Sequence, residues 1–294
     1  MEIGNLSTVL VWAAASSYTI ALVAFSIDLA RLADDPTRAR GRKAVGIAMS
    51  TTILGLLLHG AGIVLRGIAA GRAPWANMYE FTLVGSFVAV AVFLVTQVRR
   101  EVRFLGAIIT GLAVLALGTA LSVFYIAADG VQPALQSYWL LIHVSVATIA
   151  AGILTVAFAA SVLQLLKDSR ESGSPAVQPR FFRFLDALPT PRELEALAFR
   201  LNAIGFVLWT FTLIAGAIWA EHAWGRYWGW DPKEVWTFVV WVVYASYLHA
   251  RTTRGWTGRR AAYFVLVGYA CVLFNFTGVN LLFAGKHAYS GRPS

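Results

Sequence analysis

Residues 221–236, Glu-His-Ala-Trp-Gly-Arg-Tyr-Trp-Gly-Trp-Asp-Pro-Lys-Glu-Val-Trp, hold the residues of this chain best suited to binding chemistry. Trp224, Tyr227, Trp228, Trp230 and Trp236 crowd into this one stretch. Tryptophan and tyrosine also collect in belts at membrane interfaces. A belt scatters its rings between spans, whereas glycines set beside tryptophans leave ring faces open to a flat ligand. The pattern therefore reads as a ligand platform. Its second half predicts a helix start, with Asp231 as N-cap, Pro232 at the first helical position and Glu234 closing a capping box. Trp224 and Trp228 share a face if 222–228 forms a helical turn. The other candidates are five histidines, His59, His143, His222, His249 and His287. An ionisable group inside a membrane is a functional candidate by default, and imidazole suits transition metals. Cys271 is the sole cysteine, so no disulfide forms within the chain, and a lone thiol argues against relay chemistry by this chain alone.

These residues must be positioned by membrane helices. The chain has 294 residues, 58% hydrophobic and only 13% charged, which fits a polytopic membrane protein and not a soluble globule. The expected fold is all-α, a transmembrane bundle of about eight spans near 8–29, 44–65, 81–98, 104–124, 138–166, 201–220, 232–250 and 261–284. The first is read as a retained span, since no charged n-region or cleavage site precedes it. The formal net charge of +9 is explained by topology and not by nucleic acid. Alternate loops carry 18 of the basic residues, and the remaining 6 are Arg66, Arg72, Arg226, Lys233, Lys286 and Arg292. The positive-inside rule makes the richer loops cytoplasmic, which puts both termini and the tryptophan stretch outside. Residues 1–294 read as one integral-membrane domain, with 167–198 a flexible cytoplasmic linker marked by Ser172-Gly-Ser-Pro175 and Pro179.

The run Trp224-Gly225-Arg226-Tyr227-Trp228-Gly229-Trp230-Asp231-Pro232-Lys233-Glu234 resembles the tryptophan-rich WWD signature of membrane heme-handling proteins in cytochrome c assembly. It is most similar to the CcsA-type (ResC-type) subunit of the system II cytochrome c synthase. Pro74 to Glu80, His143, His249 and the stretch Gly278 to His287 also resemble the family, so the likeness spans most of the chain.

The resemblance implies heme b as bound ligand and substrate, a CcsB-type (ResB-type) membrane subunit and apocytochrome c as partners, and a bacterial-type plasma membrane or thylakoid-type membrane as location. It implies a heme platform at Trp224, Trp228, Trp230 and Asp231, and outer axial ligands at His143 and His287. His143 lies about 8 Å below the outer surface at 1.5 Å per residue, within reach of the platform. His249 lies roughly 26 Å along its span from Pro232, near the cytoplasmic face, and His59 roughly 22 Å up from the inner end of span two. These two cannot share one iron, which matches the family's inner heme site, shared between His249 and the partner. His59 is then structural or a lesser heme contact. His222 reads as an interfacial polar residue. Arg66, Arg72, Arg226 and Lys233 are the outer cations open to heme propionates. Holocytochrome c synthase activity is expected only with the partner. Rival readings are a bis-histidine cytochrome b in quinol electron transfer and a small-molecule permease. The permease predicts inverted repeats, and none is found.

Overall fold

The computed structural model describes residues 3–34, 42–128, 137–283 and 285–286. They form nine α-helices: α1 (Ile3–Asp34), α2 (Arg42–Ala70), α3 (Met78–Arg99), α4 (Gly106–Ser122), α5 (Tyr138–Glu171), α6 (Pro191–Trp224), α7 (Pro232–Arg254), α8 (Arg259–Phe276) and the short α9 (Gly278–Leu282). Among the described residues there is no strand. Seven helical segments are long and apolar enough to cross a membrane, with α8 and α9 counted as one. This is a multi-pass membrane protein. The seventh expected span, 232–250, found as α7, is the exception. Its 23 residues measure about 35 Å, long enough to cross, but Lys233, Glu234, His249, Arg251 and Arg254 make it less apolar than the others.

Two packed cores divide the bundle, and α5 belongs to both. Val156, Ala157, Ala159 and Ala160 of α5 join the core built on α1, α3 and α4. Ala150 and Leu154 join the core of α6, α7 and α8, with Trp209, Tyr244 and Tyr269. Close approach needs small residues. A Cβ on Gly152 would stand 2.6 Å from Val88 and 3.1 Å from the Ala89 backbone nitrogen, so only glycine lets α5 lie this near α3. Polar side chains tie the second core together. Thr155 and Tyr269 share a hydroxyl hydrogen bond of 2.9 Å, and Trp241 Nε1 donates to Thr210 Oγ1 at 2.9 Å.

The 167–198 segment is not a flexible linker. α5 runs on to Glu171 and α6 starts at Pro191, under a capping box of Thr190 and Glu193. Between them Pro175–Val177 and Arg180–Ala187 are 3-10 turns that bury Val177 and Leu185 in the first core. Arg170 grips Asp186 through two nitrogens at 3.0 and 2.8 Å, and that hydrogen-bonded pairing holds the Asp186 carboxyl below its ordinary pKa. Proline and serine there shape turns; the apolar residues between them dock the turns.

Candidate functional site

The tryptophan stretch folds as a loop between α6 and α7. α6 ends at Trp224, and Gly225 takes the left-handed conformation at φ 69° that closes a helix. Trp224 and Trp228 therefore do not share a helical turn. Trp230 is held at φ 57°, a costly backbone for a bulky residue. Its surroundings fix it there. Glu234 Oε2 accepts from Gly229 N at 2.7 Å and from Asp231 N at 3.1 Å, while Asp231 Oδ2 accepts from Lys233 N at 3.2 Å. The predicted capping box is thus present, with Pro232 at the helix start. The other Asp231 oxygen, Oδ1, accepts from Lys286 N at 2.8 Å and so pins the segment after α9 to the loop.

Beneath the loop, between the two cores, lies a cavity of about 360 Å³, within the range of about 300–1,000 Å³ usual for small-molecule sites. It follows α5 from Leu140 to Thr155, about 22 Å of helix. Trp75, Trp219, Tyr227 and Trp228 wall its outer part, and small residues such as Gly85, Ala113 and Gly152 its depths. His143 faces into it. The imidazole stacks on Trp219, rings 10° apart, and Nδ1 donates to the Thr212 carbonyl at 3.0 Å. A proton fixed on Nδ1 leaves Nε2 as the basic nitrogen, the arrangement metal-binding histidines adopt. Gly216 makes this possible, because a Cβ there would stand 2.7 Å from the ring. An apolar, aromatic-walled slot with one oriented imidazole fits a flat metallated macrocycle.

A family model for cytochrome c assembly protein matches residues 75–287, most of the chain and all of this cavity's wall. The chain belongs to the cytochrome c assembly protein family. The cytochrome c biogenesis protein CcsA of Prochlorococcus marinus is 33% identical over 272 residues, covering 83% of this chain and 86% of the relative. Its counterpart in Synechococcus is 34% identical, covering 93% and 94%. That of Chlamydomonas reinhardtii is 34% identical, covering 83% and 67%. Among solved structures, cytochrome c heme lyase CcmF shares the fold at a TM-score of 0.67 with 17% identity. That match takes in 94% of this chain, which spans about half (47%) of the CcmF chain.

Of the family's other expected site residues, the structure places some at the cavity and others away from it. Trp228 lines the cavity and stands edge-on to Trp230, which is 78% exposed above it. Trp224 instead packs on Trp219, joining the aromatic cluster behind the wall, with the Lys286 ammonium 5.4 Å over its ring. His287, the expected second outer ligand, lies outside the described residues. It follows Lys286, whose backbone Asp231 holds. His222 is exposed, bonded to its own helix at Ile218 O and beside Glu221, away from the cavity lining. His59 is fully buried between Tyr18 and Phe87, with Nδ1 3.4 Å from the Tyr18 hydroxyl. His249 is exposed on α7, near its C-terminal end.

The four cations divide the same way. Arg66 and Arg72 both bind the buried Glu80 carboxylate, at 2.9 and 2.7 Å. The Arg226 guanidinium lies against the Gly229 backbone, where a Cβ has no room. Lys233 alone of the four lines the cavity. The sequence reading missed Trp75, Trp219, Asn275 and Asn280. The two asparagines had a signal, being polar side chains in the last apolar stretch.

Proposed function

We propose that the chain is the heme-handling subunit of a system II cytochrome c synthase, and that the cavity is its outer heme site. The observation that carries this reading is His143, its Nδ1 anchored on Thr212 O, inside an aromatic-walled cavity under the WWD loop. His143 supplies one axial nitrogen and His287 the other. Trp75, Trp219 and Trp228 cover the macrocycle and keep water from it. Asp231 sets the approach of His287 by holding the backbone beside it. Heme held there with both axial positions filled is protected from stray redox chemistry. The Cys-x-x-Cys-His segment of an apocytochrome meets it at the exposed Trp230 edge, and its thiols add to the vinyl groups to give thioethers.

His249 belongs to a second, inner site completed by a CcsB-type subunit. It sits exposed near the C-terminal end of α7, where another polypeptide can reach it, while His59, His143 and His222 bond to Tyr18, Thr212 and Ile218. Heme enters there and moves to the outer cavity. The experiment is to purify the chain with and without the partner subunit and measure heme per protein and the absorption spectrum. The chain alone should hold outer heme but little inner heme. With the partner, heme should rise and pass to a Cys-x-x-Cys-His peptide, and His249→Ala should lower heme reaching the outer site while leaving its spectrum unchanged. Two filled low-spin sites in the isolated chain, insensitive to His249→Ala, would sink the shared site and favour the electron-transfer reading.

The loop, the cavity mouth and both termini face the outside in this scheme, and the 172–190 turns face the cytoplasm. Reporter fusions should read cytoplasmic at Ser174 and external at Ser294. Opposite sides for the two chain ends would refute the charge-based topology.

A further inference from the structure

Resting on the heme reading above, we propose that Lys233 is the carboxylate anchor of the cavity, holding one heme propionate inside it while the second stays outside. Lys233 and Glu234 are the lysine and the carboxylate in the cavity wall, and among the described residues no arginine lines it. Lys233 Nζ donates to the Asn275 carbonyl at 2.6 Å, and among the described residues no carboxylate lies within 4.0 Å of it. The ammonium is half-buried, and the Asp231 carboxylate attracts it only from beyond contact distance, so the site still favours an incoming anion. An ammonium also keeps hydrogens for a second acceptor, since it carries three. Arg66 and Arg72 share the Glu80 carboxylate and neither lines the cavity, so the cation best placed for an incoming carboxylate is the lysine.

The remaining polar atoms limit the site to one carboxylate. Asn275 and Asn280 are each only 5% exposed. The Asn275 amide donates to Thr237 Oγ1 at 3.2 Å, and that of Asn280 to Phe276 O at 2.6 Å. Each amide thereby commits one of its two hydrogens, while each side-chain oxygen stays open as an acceptor. Asn275 Oδ1, Asn280 Oδ1 and Glu234 Oε1 are all buried with no hydrogen-bond partner among the described residues. Three acceptors favour a donor such as water and repel a bare carboxylate. One propionate therefore seats at Lys233, and the other is excluded past Trp228 toward the solvent.

The test uses the purified full chain and three probes: hemin, its monomethyl ester and its dimethyl ester. Binding is followed by the heme absorption band that depends on His143. The wild-type chain should bind hemin and the monoester alike and the dimethyl ester about tenfold or more weakly, the scale of a charge-assisted hydrogen bond. Lys233→Gln should bind all three at the affinity the wild type shows for the dimethyl ester, and Lys233→Arg should keep part of the preference. Unchanged binding of the dimethyl ester by Lys233→Gln is the internal control for folding. A Gln variant that still prefers hemin over the dimethyl ester would overturn the anchor. A monoester as weak as the diester would overturn the one-in, one-out arrangement. Displacement of hemin by palmitate would assign Lys233 to lipid carboxylates instead. Absence of any His143-dependent band in the wild type would fail the heme reading itself, a separate result from loss of ester selectivity.

Discussion

His143→Ala is expected to abolish the low-spin heme spectrum of the purified chain and to cut heme retention by more than about 100-fold. The partners that merely orient a metal-bound histidine are worth about 10–100-fold, so losing the ligand itself should exceed that. Added imidazole should restore part of the spectrum, because Trp219 and Gly216 leave a ring-shaped space that a free imidazole can fill. Gly216→Ala offers a subtler version of the same result. Its new Cβ, 2.7 Å from the His143 ring, must push the imidazole off the Thr212 carbonyl. About tenfold weaker heme binding is expected, without loss of fold. His222→Ala should change little, since that ring is exposed and tied to its own helix. If His222→Ala proved as damaging as His143→Ala, the assignment of the axial ligand would be wrong.

What the sequence made legible was mostly local. The capping box of Asp231 with Glu234 is found where the residue pattern places it. A cap is decided within four residues, so tertiary context seldom overrides it. The helices follow from hydropathy for a similar reason, since backbone groups in lipid must be satisfied within the segment. The misreadings are long-range or depend on competing local signals. Trp224 and Trp228 have helical spacing, but Gly225 ends the helix between them, and a glycine after a periodic run is a stop signal. The Pro- and Ser-rich stretch after α5 looked unstructured because its anchors, Val177 and Leu185, are few and separated. Trp219 sits within an apolar helix, where nothing in the sequence tells an inward-facing ring from a lipid-facing one. Nor does spacing reveal that Arg66 and Arg72 converge on one carboxylate, since that depends on how the 71–77 turn folds back.

That convergence carries the other large expected effect. Glu80 is fully buried at the first turn of α3, with Asn77 capping its backbone nitrogen at 3.0 Å. Its carboxylate accepts from Arg66 Nε, from two nitrogens of Arg72 and from Ala76 N, all between 2.7 and 3.1 Å. Arg66 also donates to Ala127 O at 3.2 Å and lies over the Tyr79 ring, so this carboxylate ties α2, α3 and the chain beyond α4 together. Glu80→Ala removes the carboxylate that two guanidinium groups, 3% and 13% exposed, share. Breaking a buried pair from one side costs about 3–5 kcal/mol. A clear drop in the thermal unfolding midpoint in detergent is expected, read by tryptophan fluorescence. Glu80→Gln should lose less, since the amide oxygen still accepts. Adding Arg72→Leu to Glu80→Ala should recover part of the loss by removing the like-charge repulsion, a non-additivity expected of residues sharing one network. Heme binding should fall as a consequence, because Trp75, a wall of the cavity, belongs to the same turn. The order of events separates this from direct ligand contact. If Glu80→Ala kept its wild-type melting profile but lost heme, the cluster would belong to the binding site and not to its frame. Arg66 and Arg72 would then return as rivals to Lys233 for the propionate.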